Sequence, residues 1–98
     1  MKTVLELSLE LCEMLKFNYS KTGYSSTMEF VVEPGKKFYK IVKSDNQRSV
    51  HAFIDMQSGD IYKPASWKAP AKGVRFNIIK DYDKLPATVT WCGSWLYR

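Results

Sequence analysis

The sequence predicts an α+β fold, an N-terminal amphipathic helix packed on an antiparallel β-sheet that runs as a meander. Three observations carry this. Apolar residues recur at helical spacing near the N-terminus. Several short β-rich runs follow, each closed by a cluster of turn-forming residues. The length, 98 residues, suits one core and one domain over residues 1–98. Apolar residues make up 45% and charged residues 26%, a balance that excludes a disordered chain. No apolar run approaches the ~20 residues that span a bilayer. The length also argues against a two-lobed cofactor enzyme.

The helix is expected over residues 3–16. Glu6, Glu10 and Glu13 share one face, and Val4, Leu7, Leu11 and Leu15 form the opposite stripe. Leu5, Cys12 and Met14 widen that stripe into a face suited to a sheet or a second copy of the chain. Residues 18–26 are polar and read as a connection.

The β-rich, basic part covers residues 28–98. Met28–Glu33 is the first strand, and Pro34-Gly35 supplies turn chemistry, with a positive φ expected at the glycine. Lys36–Lys43 resumes as strand, and Asp45-Asn46-Gln47 turns the chain again. Ser49–Met56 alternates, with Val50, Ala52, Ile54 and Met56 on one side and His51, Phe53 and Asp55 on the other. Gln57-Ser58-Gly59-Asp60 is a third turn before Ile61–Lys63. The prolines and glycine of residues 64–73 argue against a regular element there. Val74–Ile79 returns to strand, and Asp81–Leu85 forms a turn or half-helix before Pro86. Thr88–Trp91 and Ser94–Tyr97 are β-rich by composition and are expected as strands joined at Cys92-Gly93.

The formal net charge is +5, and its position matters more than its size. Residues 34–80 hold ten basic side chains against three acidic ones, whereas the helix is slightly acidic. An excess of seven on the β part suits a polyanionic partner. The plain alternative is a solvated surface. Within this stretch Trp67, Lys68, Lys72, Arg75 and Phe76 interleave aromatic and basic residues on a loop stiffened by Pro64 and Pro70. Bases stack on flat apolar rings and phosphates need cations, so this mixture fits a nucleic acid or nucleotide. Gly73 beside Lys72 offers backbone N–H groups to an anion. The candidate ligand-binding residues are Lys63, Trp67, Lys68, Lys72, Arg75 and Asn77, with Tyr97 and Arg98 as a stacking ring and a phosphate fork. For Trp67 alone the competing role is a plug at the end of the sheet. Asn77 is divided between reading a base edge and completing a turn.

Signatures of chemistry are weak. His51 is the only histidine, and a packed strand histidine outweighs a base acting with Cys92 or Ser94. Cys12, His51 and Cys92 lack the paired ligand spacing of a zinc site. Asp81 and Asp83 alone make a poor magnesium site. Neither a GxxxxGK[ST] loop nor a GxGxxG run is present. No catalytic residue, cofactor or metal is therefore expected. Two distant cysteines fit free, buried thiols in a reducing compartment. Glu6, Glu10 and Glu13 interrupt any signal-peptide core, which places the protein in cytoplasm.

The run KPASWKAPAKGVRFN, Lys63 to Asn77, and the ending GSWLYR, Gly93 to Arg98, resemble a group of small tailed-bacteriophage proteins of unassigned activity. The resemblance covers roughly residues 38–98. It implies a phage protein acting in the cytoplasm of an infected bacterium. The leading functional expectation is a non-catalytic protein that binds nucleic acid or a small, possibly cyclic, nucleotide of host immune signalling. A homo-oligomer assembled through the broad helix face would suit the nucleotide version. The alternative is a module that inhibits an acidic host enzyme. A small hydrolase or nuclease ranks last.

Overall fold

The computed structural model describes residues 2–23, 28–45 and 47–97. Asn46 of the second expected turn, Ser25 and Ser26 of the polar connection, and Arg98 lie outside the described residues.

Helix α1 spans Val4–Ser20. Thr3 opens it with a capping box. Its hydroxyl accepts from the Glu6 N–H at 3.1 Å, and its own N–H donates to Glu6 Oε1 at 2.9 Å. Leu7, Leu11, Cys12 and Leu15 are buried, so the predicted stripe does face a core. The helix runs four residues beyond the expected end at 16. Tertiary contacts hold that extra turn. Tyr19 meets Trp91 edge-on at 5.1 Å, and Asn18 Oδ1 accepts the Trp91 N–H at 2.9 Å.

Five antiparallel strands follow in meander order: β1 (Glu29–Pro34), β2 (Phe38–Ser44), β3 (Arg48–Asp55), β4 (Asp60–Tyr62) and β5 (Phe76–Asn77). The fold is α+β, with the helix on one face of the sheet. Rows of paired residues line that face. Val32, Ile41 and Ala52 form one, and Tyr39, Ile54, Ile61 and Phe76 form another. They pack with α1 and with Ile78, Leu85, Val89, Trp95 and Leu96 in one apolar cluster. Burial of each large side chain there contributes roughly 1.5–3 kcal/mol. The chain's own sheet thus covers Leu7, Leu11, Cys12 and Leu15 of the apolar helix stripe, while Leu5 stays exposed. Among the described residues, no helix is long and apolar enough to cross a membrane.

Four local expectations need correction. Pro34 is still strand, opposite Tyr39, and Gly35 turns without a positive φ, its N–H donating to the Phe38 carbonyl at 2.9 Å. In β3 the alternation breaks. Ile41 faces Ala52, but Val42 faces Val50, so His51 is an extra residue without a partner on β2. The bulge turns His51 to the helix side, where it meets Phe30 and Trp95. Val50 is turned outward, against the loop that carries Trp67. The strand expected over Val74–Ile79 shrinks to the two residues of β5.

The C-terminal strands do not form. Tyr82–Lys84 is a 3-10 turn, α2 spans Leu85–Thr88 with Pro86 in its first turn, and Ser94–Tyr97 is a second 3-10 turn. Trp95 and Leu96 are consecutive and both fully buried. A strand sends neighbours to opposite faces, whereas a helical turn can aim both at one core. Packing overrides β-rich composition here.

A basic and aromatic groove on the outer sheet face

The face of the sheet away from α1 has its own alternation. Val31, Val42 and Val50 form one row, and Glu33, Lys40, Phe53 and Tyr62 form the next. Phe38 stands beside the second row, its ring edge-on to Phe53 at 5.9 Å and to Tyr62 at 5.7 Å. Val42 and Phe53 are buried yet lie outside the helix-side cluster. Something must therefore cover them.

The cover is the proline-bearing loop between β4 and β5. Its base is tied by the Ala71 N–H to the Lys63 carbonyl at 2.8 Å and by the Arg75 N–H to the Ile61 carbonyl at 2.8 Å. Its tip closes on itself, with the Ala65 and Ser66 N–H groups donating to the Ala69 carbonyl. Pro64 bridges to Pro70. These bonds fold the loop back over the sheet and set Trp67 on the outer face, not at its end. The Lys40 ammonium lies 4.1 Å from the Trp67 ring centre, and the Arg48 guanidinium carbon 5.4 Å. Trp67 remains 40% exposed, which leaves ring surface for a ligand.

Beside Trp67 runs a groove of about 370 Å³. Lys36, Lys37, Lys40 and Lys68 line it over a floor of Phe38 and Phe53, with Glu33 on its wall. A smaller hollow of about 300 Å³ lies under the loop between Trp67 and Val50. Cations around an apolar floor, next to an exposed indole, can hold phosphate and base together.

The residues singled out in the sequence divide into separate places. Trp67 and Lys68 belong to the groove region. Lys63 and Tyr97 meet each other instead, ammonium to ring at 4.8 Å. Lys72 is exposed on the descending loop, Arg75 is half-buried at its base, and neither lines the groove. Of the two roles open to Asn77, the structure shows the turn. Its amide donates to the Ser58 carbonyl and to Asp60 Oδ1, both at 2.9 Å, and its Oδ1 accepts the Ile79 and Lys80 N–H groups. Buried and fully bonded, it completes a turn. Lys36, Lys37, Lys40 and Arg48 were counted as charge but missed as site residues. Phe38 and Lys40, two apart on one strand, were the available signal.

The candidate chemical groups lie elsewhere. His51 is buried, and its Nε2 accepts the Trp95 indole N–H at 3.0 Å. Burial, with Lys43 nearby, pushes its pKa down to about 3, so it is neutral. Both cysteines are free thiols, but only Cys12 is buried, and burial pushes its pKa up to about 12. Cys92 is exposed, and hydrogen bonding with Ser94 pulls its thiol below the usual value. Among the described residues, no group of three His, Cys, Asp or Glu side chains could hold a metal ion.

Neither a curated protein nor a solved structure matches the chain. One family model matches it over residues 1–98, and the chain belongs to that family of unknown function, DUF7717.

Proposed function

We propose that the protein is a non-catalytic binder of single-stranded nucleic acid, and that it acts through the outer sheet face in the cytoplasm of a phage-infected bacterium. The last part rests on the phage-like run from Lys63 to Asn77 and on the ending from Gly93. The binding reading rests on one observation above all. Four lysines from two distant segments converge on one groove with an apolar floor, beside an exposed Trp67. Lys36, Lys37 and Lys40 come from the β1–β2 hairpin and β2, and Lys68 comes from the loop. Several cations beside a partly exposed ring suit a chain of nucleotides. A neutral, buried His51 gives the groove no general base.

The test is titration with a 15-nucleotide oligo(dT) over a range of salt. Affinity is expected to fall steeply with salt, because each neutralised phosphate releases counterions. Replacing Lys36, Lys40 and Lys68 together by Ala is expected to reduce the log–log slope by about 2, at ~0.7 per phosphate. A variant that binds like the wild type would place the site elsewhere. Tight binding of a small nucleotide with a flat salt response would replace the nucleic acid by that ligand. Absence of both, with an acidic host protein bound instead, would overturn the reading.

A further inference from the structure

Glu33 is the one carboxylate among the residues lining the groove. It stands opposite Lys40 in the sheet register. Direct cross-strand pairing of these opposite charges would be ordinary. Its carboxylate instead pairs with Arg48, at the start of β3, while the Lys40 ammonium stays over Trp67. Arg48 also lies over the same ring. The guanidinium at the aromatic platform is therefore already holding an anion.

The fork of an arginine recognises a carboxylate and a phosphate by the same paired N–H groups. Both partners of this ion pair are well exposed, at 52% and 39% of their side-chain surface. Such a pair adds little to stability, because water screens it and two long side chains must be held still. Its position is more informative than its strength. It puts a carboxylate on the same guanidinium that lies over the Trp67 ring.

We propose that Glu33 is an internal stand-in for the ligand's phosphate. A nucleotide stacked on Trp67 displaces the carboxylate and places its own phosphate on Arg48, with Lys40 as the second cation. This rests on the nucleic-acid reading and deepens it by naming one subsite: base on Trp67, phosphate on Arg48. Glu33 then sets a threshold, since an incoming anion must outcompete a tethered one.

Glu33→Gln removes the charge and keeps the shape. With the same oligo(dT), this variant is expected to bind about three- to tenfold tighter at low salt, as a competing charge is lost. Its salt slope is expected to steepen by about 0.7, since Arg48 is freed for one more phosphate. Adding Arg48→Gln is expected to cancel both gains. If the wild type binds and Glu33→Gln binds equally or more weakly, the Glu33 role is overturned and the groove reading stands. A lower melting temperature with an unchanged slope would mean a structural ion pair and would also overturn it. If neither protein binds the oligonucleotide, both readings fall together.

Discussion

The indole N–H of Trp95 donates to Nε2 of His51 across 3.0 Å, joining the bulge in β3 to the C-terminal 3-10 turn. Nε2 can accept only while the imidazole is neutral. Protonation therefore breaks the bond and buries a charge in the same event.

The pH dependence has a definite sign. The pKa of His51 is about 3 in the fold, against 6.5 as its ordinary value. Between these values the unfolded chain binds the extra proton, so stability is full above about 6.5 and declines as pH falls towards 3. The total loss is on the order of 3–5 kcal/mol. Urea unfolding at pH 7, 6, 5 and 4.5 should show it. Carboxylates held low in the fold, such as Glu10 and Asp55, add their own loss as pH falls through their ordinary values of 4.5 and 3.8, so the interval from pH 7 to 5 is the one that reports the histidine. A His51→Phe variant is expected to flatten the profile between pH 5 and 7. A wild-type profile already flat there would contradict the buried neutral histidine.

Gly59 is expected to tolerate no side chain. Its φ is +80°, and a Cβ would stand 2.9 Å from Ile78 Cγ2 in the core. Gly59→Ala combines backbone strain with overpacking, about 2–4 kcal/mol. Gly73 has φ +97° but open space around it, so Gly73→Ala should cost only the strain, about 1–2 kcal/mol. Chemical denaturation of both variants provides the comparison, and equal losses would count against the Ile78 clash.

Asn77→Ala removes two donated and two accepted hydrogen bonds. Buried groups left unpaired cost roughly 1–3 kcal/mol each before the turn relaxes, and a net loss of about 2–4 kcal/mol is expected. The affinity of the folded variant for oligo(dT) is expected to stay within about twofold of wild type, a change of ~0.4 kcal/mol. A large affinity loss in a stable variant would restore Asn77 to the site.

The two thiols should behave differently. Ellman's reagent is expected to label Cys92 in the native protein and Cys12 only after unfolding, because the thiolate is the reactive form and Cys12 is buried. Labelling of both at equal rates would mean that α1 opens from the sheet.

Much of the architecture was legible because it follows periodicity. Leu7, Leu11 and Leu15 announce the buried helix face, and the turn clusters announce the meander. The missed features depend on contacts that periodicity does not encode. The bulge at His51 is one added residue, and its sign in the sequence is nil until the pairing of Val42 with Val50 is known. Trp95 and Leu96 fold as a helical turn because the core needs both neighbours at once. At the groove, the excess charge and the Trp67 loop were readable, but the partners of Trp67 were not. Lys40 and Arg48 approach that ring only because the loop folds back across β2 and β3. Lys63 and Tyr97 likewise become neighbours through closure of the chain.

The loop's self-contained bonding has a wider consequence. Trp67 and Lys68 ride on a segment whose hydrogen bonds close at Lys63, Ala69 and Ala71, while the main apolar cluster lies on the opposite side of the sheet. The groove face and the apolar core therefore draw on nearly separate sets of residues. Substitutions along the loop and at the outward positions of the β1–β2 hairpin can change the charge and shape of the groove while the helix-backed side holds the fold. For a chain of this size, that separation permits rapid divergence of one surface on a constant scaffold.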